Sequence, residues 1–101
     1  MAVRAEGRRV DCGAFLLTWR ARPGASPSRV GVVASRAAVG NAVQRARAKR
    51  RLREVFRRHQ AAVPAGVDVI LTARAALLRV EFTELEQRFL AACGRMNPPK
   101  Q

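Results

Sequence analysis

Residues 30–56 read VGVVASRAAVGNAVQRARAKRRLREVF, from Val30 to Phe56. The pattern changes period part-way through. Arg29 to Ser35 (RVGVVAS) is a short β-branched run, which predicts a buried strand. Gly40-Asn41 breaks it and supplies an N-cap. From there the apolar residues recur at helical spacing. At 100° per residue, Ala48, Leu52, Val55, Phe56, His59 and Val63 share an arc about 120° wide. Arg45 and Lys49 fall at its edge. Arg47, Arg50, Arg51, Arg53, Arg57 and Arg58 fall outside it. One long amphipathic helix over 41–62 is predicted, with a narrow core stripe and a cationic remainder. Pro64-Ala65-Gly66 ends it.

The rest follows outward from that unit. Val67 to Ala73 (VDVILTA) is nearly all apolar and predicts a strand buried on both faces. Upstream, Arg8 to Trp19 reads as extended, with Gly13 marking a bend or bulge. Phe15, Leu17 and Trp19 share one face there; Leu16, Thr18 and Arg20 share the other. Arg22 to Ser28 (RPGASPS) is a turn. Its short span predicts that the strands it joins pair antiparallel. Thr83 to Cys93 predicts a second helix, with Thr83 and Glu86 as a capping box and Gly94 as its stop. Leu85, Phe89 and Ala92 form its apolar stripe. Residues 1–7 read as irregular and 97–101 as a tail, leaving one domain over 1–96. The order β-β-α-β-α gives the α+β class, a small two-layer sandwich of helices on a sheet.

Charge narrows the function. The 101 residues carry 20 Lys+Arg against 7 Asp+Glu, a formal net charge of +13. Such a chain seeks a polyanion. The excess is uneven: residues 1–59 hold 15 cations and 3 acids, residues 60–101 hold 5 and 4. All the cations but Lys49 and Lys100 are Arg, whose planar fork suits phosphates and stacks on bases. Between Arg45 and Arg58 stand eight cations and one acid, Glu54. Like charges three and four apart destabilise a helix unless a polyanion neutralises them. A membrane-surface helix would keep a broad apolar face, and here that face is needed for the core. Charge alone leaves RNA and DNA open. A basic helix can enter a DNA major groove, with Asn41 or Gln44 at base edges, while RNA is contacted at its backbone and unpaired bases. Phe15 and Trp19 are either core or stacking residues.

Other chemistries lack residues. His59 is the sole histidine, and Cys12 and Cys93 have no metal-ligand spacing. No Gly-rich phosphate loop occurs. No apolar run reaches membrane-spanning length, and the start MAVRAEGRR lacks a signal peptide's apolar stretch. Two isolated cysteines are expected as reduced thiols of a cytoplasmic protein.

The stretch 30–56 resembles the signature of the bacterial ribonuclease P protein component. That signature is a strand, a Ser followed by basic residues, then G-N/K-A-V, then R-N-R-x-K-R-x-x-R-E. It is matched at Ser35, Arg36, Gly40, Asn41, Ala42, Val43, Arg45, Arg47, Lys49, Arg50, Arg53 and Glu54. A weaker similarity runs from Gly7 to about Cys93. The resemblance implies a subunit that assists a catalytic RNA in removing the 5′ leader from precursor tRNA. The RNA subunit and its Mg²⁺ would perform the chemistry, so no catalytic residue and no dedicated metal site are expected in this chain. Ser35, Arg36, Asn41, Arg45, Arg47, Lys49, Arg50, Arg53 and Arg57 are the implied contacts to the catalytic RNA. The leader cleft maps to the strand face around Phe15, Leu16 and Thr18. The implied partners are ribonuclease P RNA and precursor tRNA, with no DNA and no membrane. The alternative is a general structured-RNA-binding or ribosomal-type protein with no role in cleavage.

The resemblance also bears on the fold. It implies a mixed sheet whose basic helix sits in a left-handed βαβ crossover, as in certain ribosomal-protein domains. General handedness statistics alone favour the right-handed form. This sequence departs from the family in four places. Ala46 replaces the motif's Asn. An extra Ala between Arg36 and Val39 lengthens the expected loop. Thr18 stands where Tyr is common, and the family's N-terminal helix is largely missing.

Overall fold

A computed structural model describes residues 8–21, 28–64 and 66–96. Four strands and three helices form two layers: β1 (Arg8–Asp11), β2 (Phe15–Ala21), β3 (Arg29–Val33), α1 (Arg36–Val39), α2 (Ala42–Arg58), β4 (Val67–Ala73) and α3 (Phe82–Arg95). Short 3-10 turns at Gln60–Ala62 and Ala75–Arg79 follow α2 and β4. The sheet order is β1-β2-β4-β3.

The run Arg8–Trp19 is a hairpin, not one bent strand. Gly13 adopts φ 82, a left-handed conformation that glycine reaches without strain. Its N–H donates to Asp11 Oδ1 at 2.9 Å. The reversal is docked onto α3 by Arg88, whose Nη1 donates to the Cys12 carbonyl at 2.7 Å.

The expected antiparallel pairing of the strands around residues 22–28 does not occur. β4 inserts between them, antiparallel to β2 and parallel to β3. The turn at 22–27 lies outside the described residues, as do the irregular start and the tail. β4 is the most apolar strand and takes the central place, where both edges are hydrogen-bonded. It is buried on one face only. Val67, Val69, Leu71 and Ala73 enter the core, whereas Ile70 is 45% exposed.

The core lies between that face and the helices. Phe15 and Leu17 meet Ala48, Leu52, Val55 and Phe56 of α2 and Leu85, Phe89 and Ala92 of α3. Phe56 and Phe89 pack edge to face, with centroids 6.4 Å apart. His59 sits at the stripe's end, half-buried, with Nε2 3.0 Å from Glu86 Oε2.

Three helix boundaries differ from the sequence reading. The expected Thr83–Glu86 capping box is not formed. The helix starts at Phe82 with Glu81 as N-cap, so Thr83 lies inside the first turn and Glu86 is drawn to His59 and Arg58. Gly94 does not stop the helix either; it is exposed within the last turn, and Met96 is the C-cap. The long helix ends at Arg58 rather than Ala62, because His59 leaves helical geometry and hands over to a 3-10 turn.

Candidate nucleic-acid interface

The segment between β3 and α2 is built as a rigid corner. Ser35 Oγ accepts from the Ala38 N–H at 3.1 Å and caps the single turn of α1. The lengthened loop expected there is thus a helical turn, and the Ser35-x-x-Ala38 cap was its sequence signal. Gly40 follows at φ 127, where the Gln44 side chain fills the space a Cβ would need. Asn41 and Gln44 then close a reciprocal capping box: Asn41 Oδ1 accepts from Gln44 N at 2.9 Å, and Gln44 Oε1 accepts from Asn41 N at 3.0 Å. Both side chains are committed to the helix start rather than free to read bases.

The cations of α2 divide by partner. Arg51 and Arg58 belong to the fold. Arg51 Nη2 donates to the Val80 carbonyl at 2.6 Å, and both guanidiniums lie over the Phe82 ring, 5.9 and 4.9 Å from its centroid. Arg57 and Arg58 clasp Glu54, at 2.5 and 2.8 Å from its Oε2. Hydrogen bonds from Arg57, then Arg58, pull the Glu54 carboxyl down from 4.5 to about 2. The same Glu54 bond raises Arg57 above the usual guanidinium value.

The remaining cations have no such partners. Among the described residues, none of Arg45, Arg47, Lys49, Arg50 and Arg53 forms an ion pair. Arg47, Arg50 and Arg53 are exposed, while Arg45 and Lys49 are half-buried at the core's edge, as the helical arc predicted. Arg45, Lys49, Arg50 and Arg53 line an open groove of about 590 Å³ along the helix. The Arg45 Nε–H is buried beside it with no acceptor in reach.

The second candidate surface is the open face of the sheet. Strand register places Arg20, Asp68 and Arg29 in one row; Thr18, Ile70 and Gly31, with Arg9, in the next; and Leu16, Thr72 and Val33, with Asp11, in the third. Arg29 grips Asp68 through two bonds of 3.1 Å. Leu16 and Thr18 therefore face outward, half-buried. Phe15 points the other way and is wholly buried, so it offers no surface to a ligand. Trp19, half-buried, packs against the core as well. The sequence reading placed Arg20 beside Leu16 and Thr18 but left Arg9, Arg29, Ile70 and Thr72 off this face. Their signal was the alternation Asp68, Ile70, Thr72, hidden inside an apolar run.

The model of the Ribonuclease P family matches residues 1–97. The chain belongs to the ribonuclease P protein-component family. It is 40% identical over 87 residues to the ribonuclease P protein component of Symbiobacterium thermophilum, covering 86% of this chain and 75% of that one. The Thermotoga maritima protein component is 33% identical over 95 residues, covering 90% and 80%. A solved structure of ribonuclease P protein from Thermotoga maritima superposes with a TM-score of 0.80 at 28% identity, over 96% of this chain and 90% of that one. The mixed four-stranded sheet with its helices is thus the fold of bacterial ribonuclease P proteins. Membership makes the chain a component of an endoribonuclease complex with a role in tRNA processing.

Among the described residues, no helix is long and apolar enough to cross a membrane. Among the described residues, no three His, Cys, Asp or Glu side chains gather to hold a metal ion. Both cysteines are free, and burial first of all pushes each thiol up to about 11.

Proposed function

We propose that the chain binds the catalytic RNA of ribonuclease P through α2 and holds the 5′ leader of precursor tRNA against the open sheet face. One observation carries the reading. Four of the five unpaired cations of α2, Arg45, Lys49, Arg50 and Arg53, line one open groove along the helix. Phosphate oxygens supply the counter-charge that these four cations lack. Arg45, Lys49, Arg50 and Arg53 form the central contact, with Arg47 and Arg36 as outlying phosphate contacts. Ser35 and Asn41 act by fixing the corner, and Arg57 is held back by Glu54.

On the open face, Arg9 and Arg20 attract the leader's phosphates, while Arg29 is held by Asp68. Leu16, Thr18, Ile70 and Thr72 offer a hydroxyl and aliphatic floor without an aromatic ring. A leader held there makes few stacking contacts, so binding tolerates sequence and depends on salt. Bond cleavage belongs to the RNA and its Mg²⁺. His59 serves the junction of α2 and α3, and the thiols stay protonated at neutral pH.

The test is competition. Purified protein is expected to bind a bacterial ribonuclease P RNA at least tenfold more tightly than an unrelated structured RNA of equal length. Equal affinity for both would favour the general RNA-binding reading and reject this one.

A further inference from the structure

Val43 has no place in the account of phosphates and core. It is 69% exposed, more than any other large hydrophobic among the described residues. It stands in the first turn of α2, the turn fixed by the Asn41–Gln44 capping box and by Gly40. Nothing local explains a valine there. A β-branched residue is a weak helix former. The first turn favours acids over apolar groups. A hydrophobic staple would use the residue before the cap and the fourth helical residue, here Gly40 and Arg45. Helical geometry sets Ala46 and Arg47 one turn beyond Val43 and Arg50 two turns beyond, on the same side. The result is a small aliphatic spot on a rigid corner, bordered by cations.

That charge selects the occupant. Along an RNA strand, a sugar lies between successive phosphates, so cations on either side of an aliphatic spot match the backbone's own alternation. We infer that Val43, with Ala46, packs against a ribose and the adjoining base edge of the bound RNA, and is a contact residue distinct from the phosphate-binding arginines. The inference rests on the proposed binding of ribonuclease P RNA by α2. It adds a contribution that salt does not screen, because burial of apolar surface is insensitive to counterion release.

The experiment measures affinity for a bacterial ribonuclease P RNA across a monovalent-salt series, using the full chain. Val43→Ala, Val43→Lys and Leu90→Ala are compared with the parent. Leu90 is an exposed apolar residue on α3, a different helix from that of Val43. Val43→Ala raises helix propensity, so loss of fold does not confound it; thermal melting checks this. Val43→Ala is expected to weaken binding about three- to tenfold at every salt concentration with an unchanged salt slope. Leu90→Ala is expected to change nothing. Val43→Lys is expected to bind more weakly than the parent despite its added charge. Parent-like affinity in Val43→Ala, or tighter binding by Val43→Lys, would overturn the inference while leaving the phosphate contacts intact. If the parent itself did not prefer this RNA to a control RNA, the underlying functional reading would fall, and the inference with it.

Discussion

Arg45 and Arg51 sit on one helix, and both look in sequence like members of one basic run. Their surroundings separate them. Arg45 keeps an unpaired N–H beside a groove, whereas Arg51 ties α2 to the Val80 carbonyl and the Phe82 ring. Arg45→Ala is expected to leave melting unchanged and to lower the salt slope of RNA binding by about one. Arg51→Ala is expected to do the reverse, costing about 1–2 kcal/mol of stability with little change in slope. Denaturant titration beside binding assays checks both. Glu54 gives a pH test. Its folded pKa, about 2, lies below the ordinary 4.5. Its ion pairs therefore stabilise the fold fully above the ordinary value, and that support fades as pH falls toward 2. Melting temperatures of the parent and Glu54→Gln are expected to differ at pH 7 and to converge in acid. The carboxylate is exposed, so the difference should be small and should shrink with salt.

At the scale of elements, the α2 stripe rests on Leu52 and Phe56. Leu52→Ala, at a fully buried site, is expected to cost about 2–5 kcal/mol through a core cavity. Gly40→Ala is expected to disorder the start of α2, since φ 127 strains any L side chain and Gln44 occupies the space. Loss of amide-exchange protection confined to the first turn would show it. The helix was legible because burial, capping and charge all repeat at one period. β4 was placed to the residue, yet its exposed face was not, since Ile70 reads the same whether it faces core or solvent. Strand order was not legible either. A short link permits a hairpin, but it does not forbid a third strand from entering between its arms. The Thr83–Glu86 motif misled because a capping box is also decided by where the chain enters the helix, and a half-buried His59 competed for Glu86. Arg45 and Lys49 were correctly placed at the core's edge by angle alone. That one Arg45 donor would be buried without a partner needed coordinates.

On the whole molecule, two surfaces face outward from two layers. The helix layer presents the groove of Arg45, Lys49, Arg50 and Arg53. The sheet layer presents rows of Arg9, Arg20 and Arg29 over an aliphatic and hydroxyl floor. The chain spans 42 × 28 × 21 Å and is large enough to touch two RNA segments at once. At +13, its association with RNA should be steered by long-range attraction and lost steeply with salt. The charge arithmetic was sufficient to point to a polyanion, and the resemblance separated a helix surface from a strand face; which arginines border the open sheet face required the sheet order. The most direct measurement is cleavage of precursor tRNA by a bacterial ribonuclease P RNA at low Mg²⁺, with and without this chain, using substrates with and without a long 5′ leader. Strong stimulation that is greatest for the long-leader substrate is expected if both surfaces work as proposed. Tight RNA binding with no stimulation of cleavage would contradict the role in leader removal.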